Sequence, residues 1–431
     1  MSRLPIIEIY RHGRWLPAAT LEPLADDGAR VDYLPEYIFS DDPWPIALGL
    51  PVGFAPPRTH AGDLRAPPFL YDLVAQGKGR HLLLQLLQRG DQDNLVLPLV
   101  LAGAFNPIGA LRIDTAVDFY QDHARRNPAP PGSEVGFTFA DLANRREGVL
   151  EQLSTHAMLA SGTTGVQGVA PKYLLTEDVD GRLHADMALP DEAARAHWLV
   201  KGPRNASDAD RRVLRNEAAY LRVAAACGLR THAVEDVVHA NDLLRLRRFD
   251  RIATDNGVQR LPQESLASLA GLQGFGMPCR LNALLQALRR RASDPLGETI
   301  EFLRRDVLNQ ALRNTDNHAR NHAVRRMPDG RVQLTPLFDF APMFLDPEVI
   351  PRALHWANAD DVRLHAWAEI LPQLGLPDTD AHTAVRALKD FADTIDALPD
   401  TMRDCGVEAE VIDACRGAID TQAAQLRELG A

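Results

Sequence analysis

The feature that most restricts this 431-residue chain lies between Phe302 and Asp339. Phe302, Leu303, Val307, Leu308, Ala311 and Leu312 recur at the spacing of a helix that buries one face. Directly after them, in RNTDNHARNHAV (313–324), acid, amide, imidazole and guanidinium groups crowd together, with Asp316 and Asn321 five residues apart. HAVRR and RVQLT around the turn MPDG then read as two short strands, and Asp339 follows the second. The order is helix, Asp316, four residues, Asn321, hairpin, Asp339.

The surrounding chain divides by pattern. Residues 6–22 alternate as two strands around His12-Gly13, a proline-rich coil follows over 43–68, and RRNPAPPGSE (125–134) reads as a linker. AHWLVKGP alternates like a strand ending at Lys201. Residues 208–229 form a helix that Asp208 can cap and Gly228 can end. DLLRLRRFDR (242–251) reads as a further strand. After residue 265 strand patterns thin out and helices take over, among them ETIEFLRRDVLNQALRN, VRLHAWAEILPQLG and TDAHTAVRALKDFADTIDAL. The expected domains are an N-terminal module over 1–145, a mixed α/β lobe over 146–265 and a mainly helical lobe over 266–431.

Composition sets the outer bounds. Hydrophobic content is 45% and charged content 24%, as in ordinary globular chains. No apolar run approaches 18 residues, and the N-terminus carries no secretory pattern, so the expectation is a cytoplasmic protein without a membrane partner. Cys227, Cys279, Cys405 and Cys415 form no CxxC pair and read as reduced thiols. A net charge of −11 argues against a broad electrostatic grip on nucleic acid.

The Asp316–Asn321–Asp339 order is what phosphoryl transfer needs. In the protein-kinase pattern an Asp receives or orients the substrate hydroxyl proton. An Asn five residues on and a later Asp supply oxygen to Mg²⁺. The competing reading is a helix C-terminus capped by Asn and Asp, with Asp339 a turn residue. Lys201 at a strand end suits a phosphate-neutralising role, and Glu217 on the next helix suits its partner. Both residue types are otherwise common on solvated surface. Arg248 to Arg251 could be a hinge beside adenine or a charged strand end. SGTTGVQGVAPK (161–172) is a glycine-rich loop of the kind that lets backbone N–H groups approach phosphate.

GVAPKYLL, WLVKGP, RNEAAYLRVAAACGL, RRFDR, LPQESLASLAGL, RNTDNHARNHAV and LTPLFDFAPM stand in the order found in HipA-type serine/threonine kinases. The chain resembles that family over roughly residues 150–350, and more loosely at the N-terminus through PEYIFSDDPWPIALGLPV and NPIGALRI. The resemblance implies an α+β, two-lobed protein-kinase-like fold with an N-terminal α/β module. It implies an ATP- and Mg²⁺-dependent toxin kinase that arrests growth, in the manner linked to persistence, by phosphorylating a protein hydroxyl. Aminoacyl-tRNA synthetases are among the family's targets. A HipB-like, DNA-binding antitoxin would be the partner, so DNA is met only through it.

Carried over by position, Asp316 resembles the catalytic base, Asn321 and Asp339 the Mg²⁺ ligands, and Lys201 the phosphate-binding lysine. His318 resembles the nucleotide-contacting residue of the catalytic loop, and Arg247, Arg248 and Phe249 the hinge. Gly165, Gly168, Val169 and Lys172 fall in the phosphate loop, where Ala170 replaces the family's frequent Gln. The family's regulatory serine aligns near Gly165; Ser161, Thr163 and Thr164 are the neighbouring hydroxyls and the candidates for autophosphorylation.

Two other classes compete. One is a non-catalytic HipA-like binding or co-repressor module, and the other a metal-dependent nuclease using the same groups. His318 and His322 are also four apart, but no HExxH accompanies them. Trp198, Trp356 and Trp367 read as core. The arginines of LRRRA (288–292) read as a solvated helix face or as contacts to partner-held DNA.

Overall fold

Ile6–Arg11 and Arg14–Pro23 pair antiparallel around His12 and Gly13, whose φ values of 52° and 76° give the left-handed pair that a tight hairpin twist demands. Ala29–Tyr33 and Leu111–Ile113 complete a four-stranded sheet in the order 29–33, 14–23, 6–11, 111–113. Ile7, Ile9, Leu21 and Val31 on one side of it join Leu99, Val100 and Phe105 in a single core. The helix Val96–Gly103 belongs to that core; Asp27 accepts from the backbone N–H groups of Val96 and Leu97 at its start, at 2.9 and 3.0 Å. Two hydroxyls hold the start of the proline-rich coil: Tyr33 donates to the Leu50 carbonyl and Tyr37 to the Trp44 carbonyl, each at 2.7 Å.

The computed structural model describes residues 3–24, 27–54, 65–92, 95–128, 133–144, 172–204, 207–255, 257–348 and 350–430. The chain divides into two units, Met1–Arg204 with Arg245–Phe275, and Asn205–Leu244 with Gly276–Ala431. In the first unit, the helix Asp114–Arg126 runs into the expected linker and shortens it. Leu183–Ala185, Lys172–Glu177 and Ala196–Lys201 lie side by side in that order, antiparallel where Lys172–Glu177 meets each neighbour, with Lys172 opposite Lys201. The expected strand over 242–251 is two, Leu243–Arg247 and Arg251–Thr254. Between them Arg248, whose N–H reaches the His197 carbonyl at 2.8 Å, turns its side chain inward.

In the second unit the helix Asp208–Ala226 is capped by Ser207, not Asp208: the Ser207 hydroxyl accepts from the Asp210 N–H at 3.1 Å. Asp208 sits in the first turn instead, where the helix dipole favours a carboxylate. Gly228, at φ 78°, ends the helix as expected. Pro295–Ala311 starts at the Asp294 cap with Pro295 at its first position. It packs on Leu281–Arg289, Asp378–Asp396 and Ala409–Arg427. The stretch expected as one helix over 362–375 is shorter. Arg363–Leu364 pairs with Leu354–Ala357, only Trp367–Ile370 is α-helical, and Pro372 leads a single 3₁₀ turn that stops at left-handed Gly375. Trp198, Trp356 and Trp367 are all core. Among the described residues no helix is long and apolar enough to cross a membrane.

Candidate active site

The helix Pro295–Ala311 launches the polar stretch. Left-handed Arg313, at φ 54°, turns the chain, while the N–H of Asn314 returns to the Asn309 carbonyl at 2.9 Å and that of Arg313 to the Gln310 carbonyl at 3.2 Å. These are the two bonds of a Schellman stop, made here without the usual glycine. Tyr220 donates to the Leu312 carbonyl at 3.1 Å and fixes the same corner. The chain after it makes one 3₁₀ turn, Ala319–Asn321, then enters the hairpin Ala323–Arg326 and Val332–Leu334, with Val324 opposite Leu334.

Two rungs cross this loop. The Asn321 side-chain amide donates to the Asp316 carbonyl at 2.8 Å, and Nε2 of His322 meets Oδ1 of Asn317 at 2.6 Å. Each spans five residues, so the Asp316–Asn321 spacing is a physical closure as well as a sequence pattern. His318 Nε2 lies 3.8 Å from Asp316 Oδ1. Asp339 follows the hairpin with φ 48°, a left-handed backbone that Asp adopts more readily than most residues but still at a cost of about 1–3 kcal/mol. His322 packs on the Phe302 ring at 5.3 Å. Burial, followed by the nearby Arg305 cation, pushes its pKa down to about 3, so it stays neutral. His322 is buried, with its Nε2 engaged by Asn317. Among the described residues no three His, Cys, Asp or Glu side chains gather as a metal cluster.

Lys201 ends its strand 3% exposed, and Glu217 is buried on Asp208–Ala226. Neither is the solvated surface residue that its type suggests, because a lysine or glutamate is seldom buried without a partner. Arg248 has its guanidinium between two carboxylates, with Asp186 at 2.6 Å and Asp250 at 2.8 Å, all three buried. Asn106 joins Asp186 at 2.6 Å, and the Gly109 N–H reaches Asp250 at 2.8 Å. Gly109, at φ 98°, is needed for that approach: a Cβ there would lie 3.2 Å from the Gln263 nitrogen. Burial opposes the charge of Asp186 and of Asp250. Arg248 outweighs it, with His197 helping at Asp186 and Arg251 at Asp250, and both carboxyls titrate well below the usual range. Arg247 is exposed and Phe249 half-buried beside it. Lys172 opens the strand opposite Lys201. Ser161, Thr163, Thr164, Gly165, Gly168 and Val169 lie outside the described residues.

The residues that sequence reasoning missed are those that brace the loop. Asp306, Asn317, Arg352 and Trp356 come together below it. A signal was present, since Asp306 falls among the apolar positions of its helix, where a carboxylate needs partners.

Residues 164–396, more than half of the chain, match the family model for the HipA-like C-terminal domain. Among solved structures, the chain is similar to one from the Shewanella oneidensis MR-1 toxin–antitoxin system, a complex of HipA, HipB and its operator DNA. The identity is 17%, over 99% of this chain and 100% of that one, with a TM-score of 0.67, so the two share a fold. A Helicobacter pylori proinflammatory kinase, CtkA, matches at 16% identity over 59% of this chain and 97% of its own, with a TM-score of 0.36, too slight a likeness to argue from. The α+β fold expected from the sequence is therefore the HipA fold, and the chain belongs to the HipA family.

Proposed function

We propose that this protein is an ATP- and Mg²⁺-dependent serine/threonine kinase acting as the toxin of a toxin–antitoxin pair. The observation that carries the reading is the commitment of the Asn321 amide nitrogen to the Asp316 carbonyl. With the nitrogen engaged, the group Asn321 has to offer is its Oδ1. An amide oxygen with the Asp339 carboxylate is an oxygen donor set for a hard cation, and Mg²⁺ takes one or two such protein ligands with phosphate and water filling the rest. Left-handed Asp339 fits as well, since backbone strain of this kind concentrates at ligand sites.

In this reading Mg²⁺ and ATP, when bound, supply the transferable phosphoryl group and a counter-charge to it. The chain's own work is positioning and neutralisation. Asp316 accepts or orients the substrate hydroxyl proton. Lys201 and Lys172 oppose phosphate charge, with Gly165, Gly168 and Val169 as backbone donors. His318 contacts nucleotide, and the 247–249 segment faces the base through its backbone, Arg247 and Phe249, because the Arg248 guanidinium is already held by Asp186 and Asp250. The HipA–HipB–operator assembly of the Shewanella relative supports a HipB-like antitoxin as partner, with DNA reached through it. An aminoacyl-tRNA synthetase as the phosphorylated protein rests on the family resemblance, and Thr163 or Thr164, ahead of Ser161, as the self-modified residue rests on their place beside the glycines of 161–172.

The test is transfer of labelled phosphate from ATP with Mg²⁺ present. Asp316→Asn should cut transfer by about 10²–10⁴-fold, the usual weight of a general base, and leave ATP binding near wild type. Asp339→Ala should weaken Mg·ATP binding as well. Wild-type transfer by Asp316→Asn would refute the assignment.

A further inference from the structure

Asp306 sits on the helix Pro295–Ala311, 1% exposed, and the phosphoryl-transfer reading gives it no task. Four donors converge on its carboxylate. Oδ1 takes the Arg352 ion pair and the Asn317 side-chain amide at 3.3 Å; Oδ2 takes the Trp356 indole N–H at 2.8 Å and the Gln310 amide at 3.0 Å. The contact with Asn317 enters the loop itself, and it has a direction. A carboxylate paired with Arg352 only accepts, so Asn317 must present its NH₂ to Asp306. Its Oδ1 then faces Nε2 of His322, 2.6 Å away. An amide oxygen also only accepts, so His322 must carry its proton on Nε2. Nδ1 is left bare, and it has no partner among the described residues. A bare lone pair is tolerated there better than a stranded N–H would be.

We propose that Asp306 is a positioning residue for the Asp316–Asn321 loop. By dictating which way the Asn317 amide faces, and through it the proton position on His322, it holds the 317–322 rung in place beside the 316–321 rung that presents Asn321. Arg352, Trp356 and Gln310 in turn hold Asp306, so the relay runs from the helix bundle into the loop. The kinetic consequence rests on the phosphoryl-transfer reading; the hydrogen-bond polarity does not.

In Asp306→Asn the new side chain brings an NH₂ of its own. The Asn317 amide is then free to turn its oxygen toward it and its NH₂ toward His322, which moves the histidine proton to Nδ1. The experiment is ¹⁵N imidazole NMR on the full chain, with the His322 signal assigned by its loss in His322→Gln, alongside steady-state kinetics. Expected are an Nε2-protonated His322 in the wild type, a mixed or reversed tautomer in Asp306→Asn, and a kcat lower by about 10–100-fold with KM for ATP little changed. Asn317→Ala, which leaves the Asp306–Arg352 and Asp306–Trp356 contacts in place, should show the same kcat loss even if Asp306→Asn does not fold. An Nδ1-protonated wild type, or wild-type kcat in Asn317→Ala, overturns the proposal. If the wild type transfers no phosphate, the functional reading fails by itself, and the His322 tautomer in the two proteins still decides the relay.

Discussion

Lys201 and Arg248 are both buried cations in the unit that holds the N-terminal sheet, and their surroundings separate their roles. Arg248 is locked between Asp186 and Asp250, and it accounts for the break between the two strands around it. Lys201 lies at a strand end opposite Lys172. Lys201→Ala should raise KM for ATP and slow transfer. Lys201→Arg should recover only part of this, because a planar fork does not replace a compact ammonium. Calorimetric ATP titration with initial rates checks it; equal ATP affinity in all three proteins would show Lys201 to be structural. The Lys201, Asp316, Asn321 and Asp339 positions were legible because each sits at a boundary between two hydrophobic patterns. Of the Arg248 partners, Asp186 was not, since it is 62 residues away along the chain.

At the scale of elements, two helices end by the same device and only one could be read. Asp208–Ala226 stops at Gly228, with the Leu229 N–H on the Ala224 carbonyl at 3.0 Å. Pro295–Ala311 stops at Arg313 with the same bond pattern, and no glycine marks it. The side chain of Arg313 meets other constraints, the Ala414 carbonyl at 3.1 Å and the Phe344 ring at 4.4 Å, and these hold the left-handed residue in place. At the first helix, Ser207→Ala should cost about 1 kcal/mol through the lost cap. Gly228→Ala should cost about 1–2 kcal/mol, because an L side chain resists a φ of 78°. Urea denaturation measures both, and an unchanged midpoint in Ser207→Ala would mean that Asp208 can take over the cap.

For the whole molecule, buried titrating groups set the acid limit. Burial first, and then Arg248 and Arg251, lower the pKa of His197 against the opposing pull of Asp186, so the folded chain holds the imidazole neutral to lower pH than the unfolded chain does. The unfolded chain takes up that proton below its ordinary 6.5 and the folded chain only at lower pH, so stability falls as pH drops through that value. The slope is at most about 1.4 kcal/mol per pH unit for each such group. Asp186 and Asp250 add the opposite kind of group with the same sign of effect. Their folded pKa values are depressed below 3.8, so the stability they contribute is present above that value and is lost as pH falls further. Thermal melts from pH 8 to 3 should therefore show a shallow decline beginning near pH 6.5 and a steeper one below about 4. A flat curve between pH 7 and 5 would contradict the lowered pKa of His197.

Helical and strand periods, the Gly228 stop and the Asp316–Asn321–Asp339 order are properties of short windows. Local sterics and the burial of one face act on neighbouring residues, so the sequence alone carries them. The Asp306 relay depends on groups that the chain brings together from afar. Trp356, for example, reaches back 50 residues to Asp306. A buried carboxylate is stable only with donors around it, and which donors arrive is settled by packing, which no local pattern encodes.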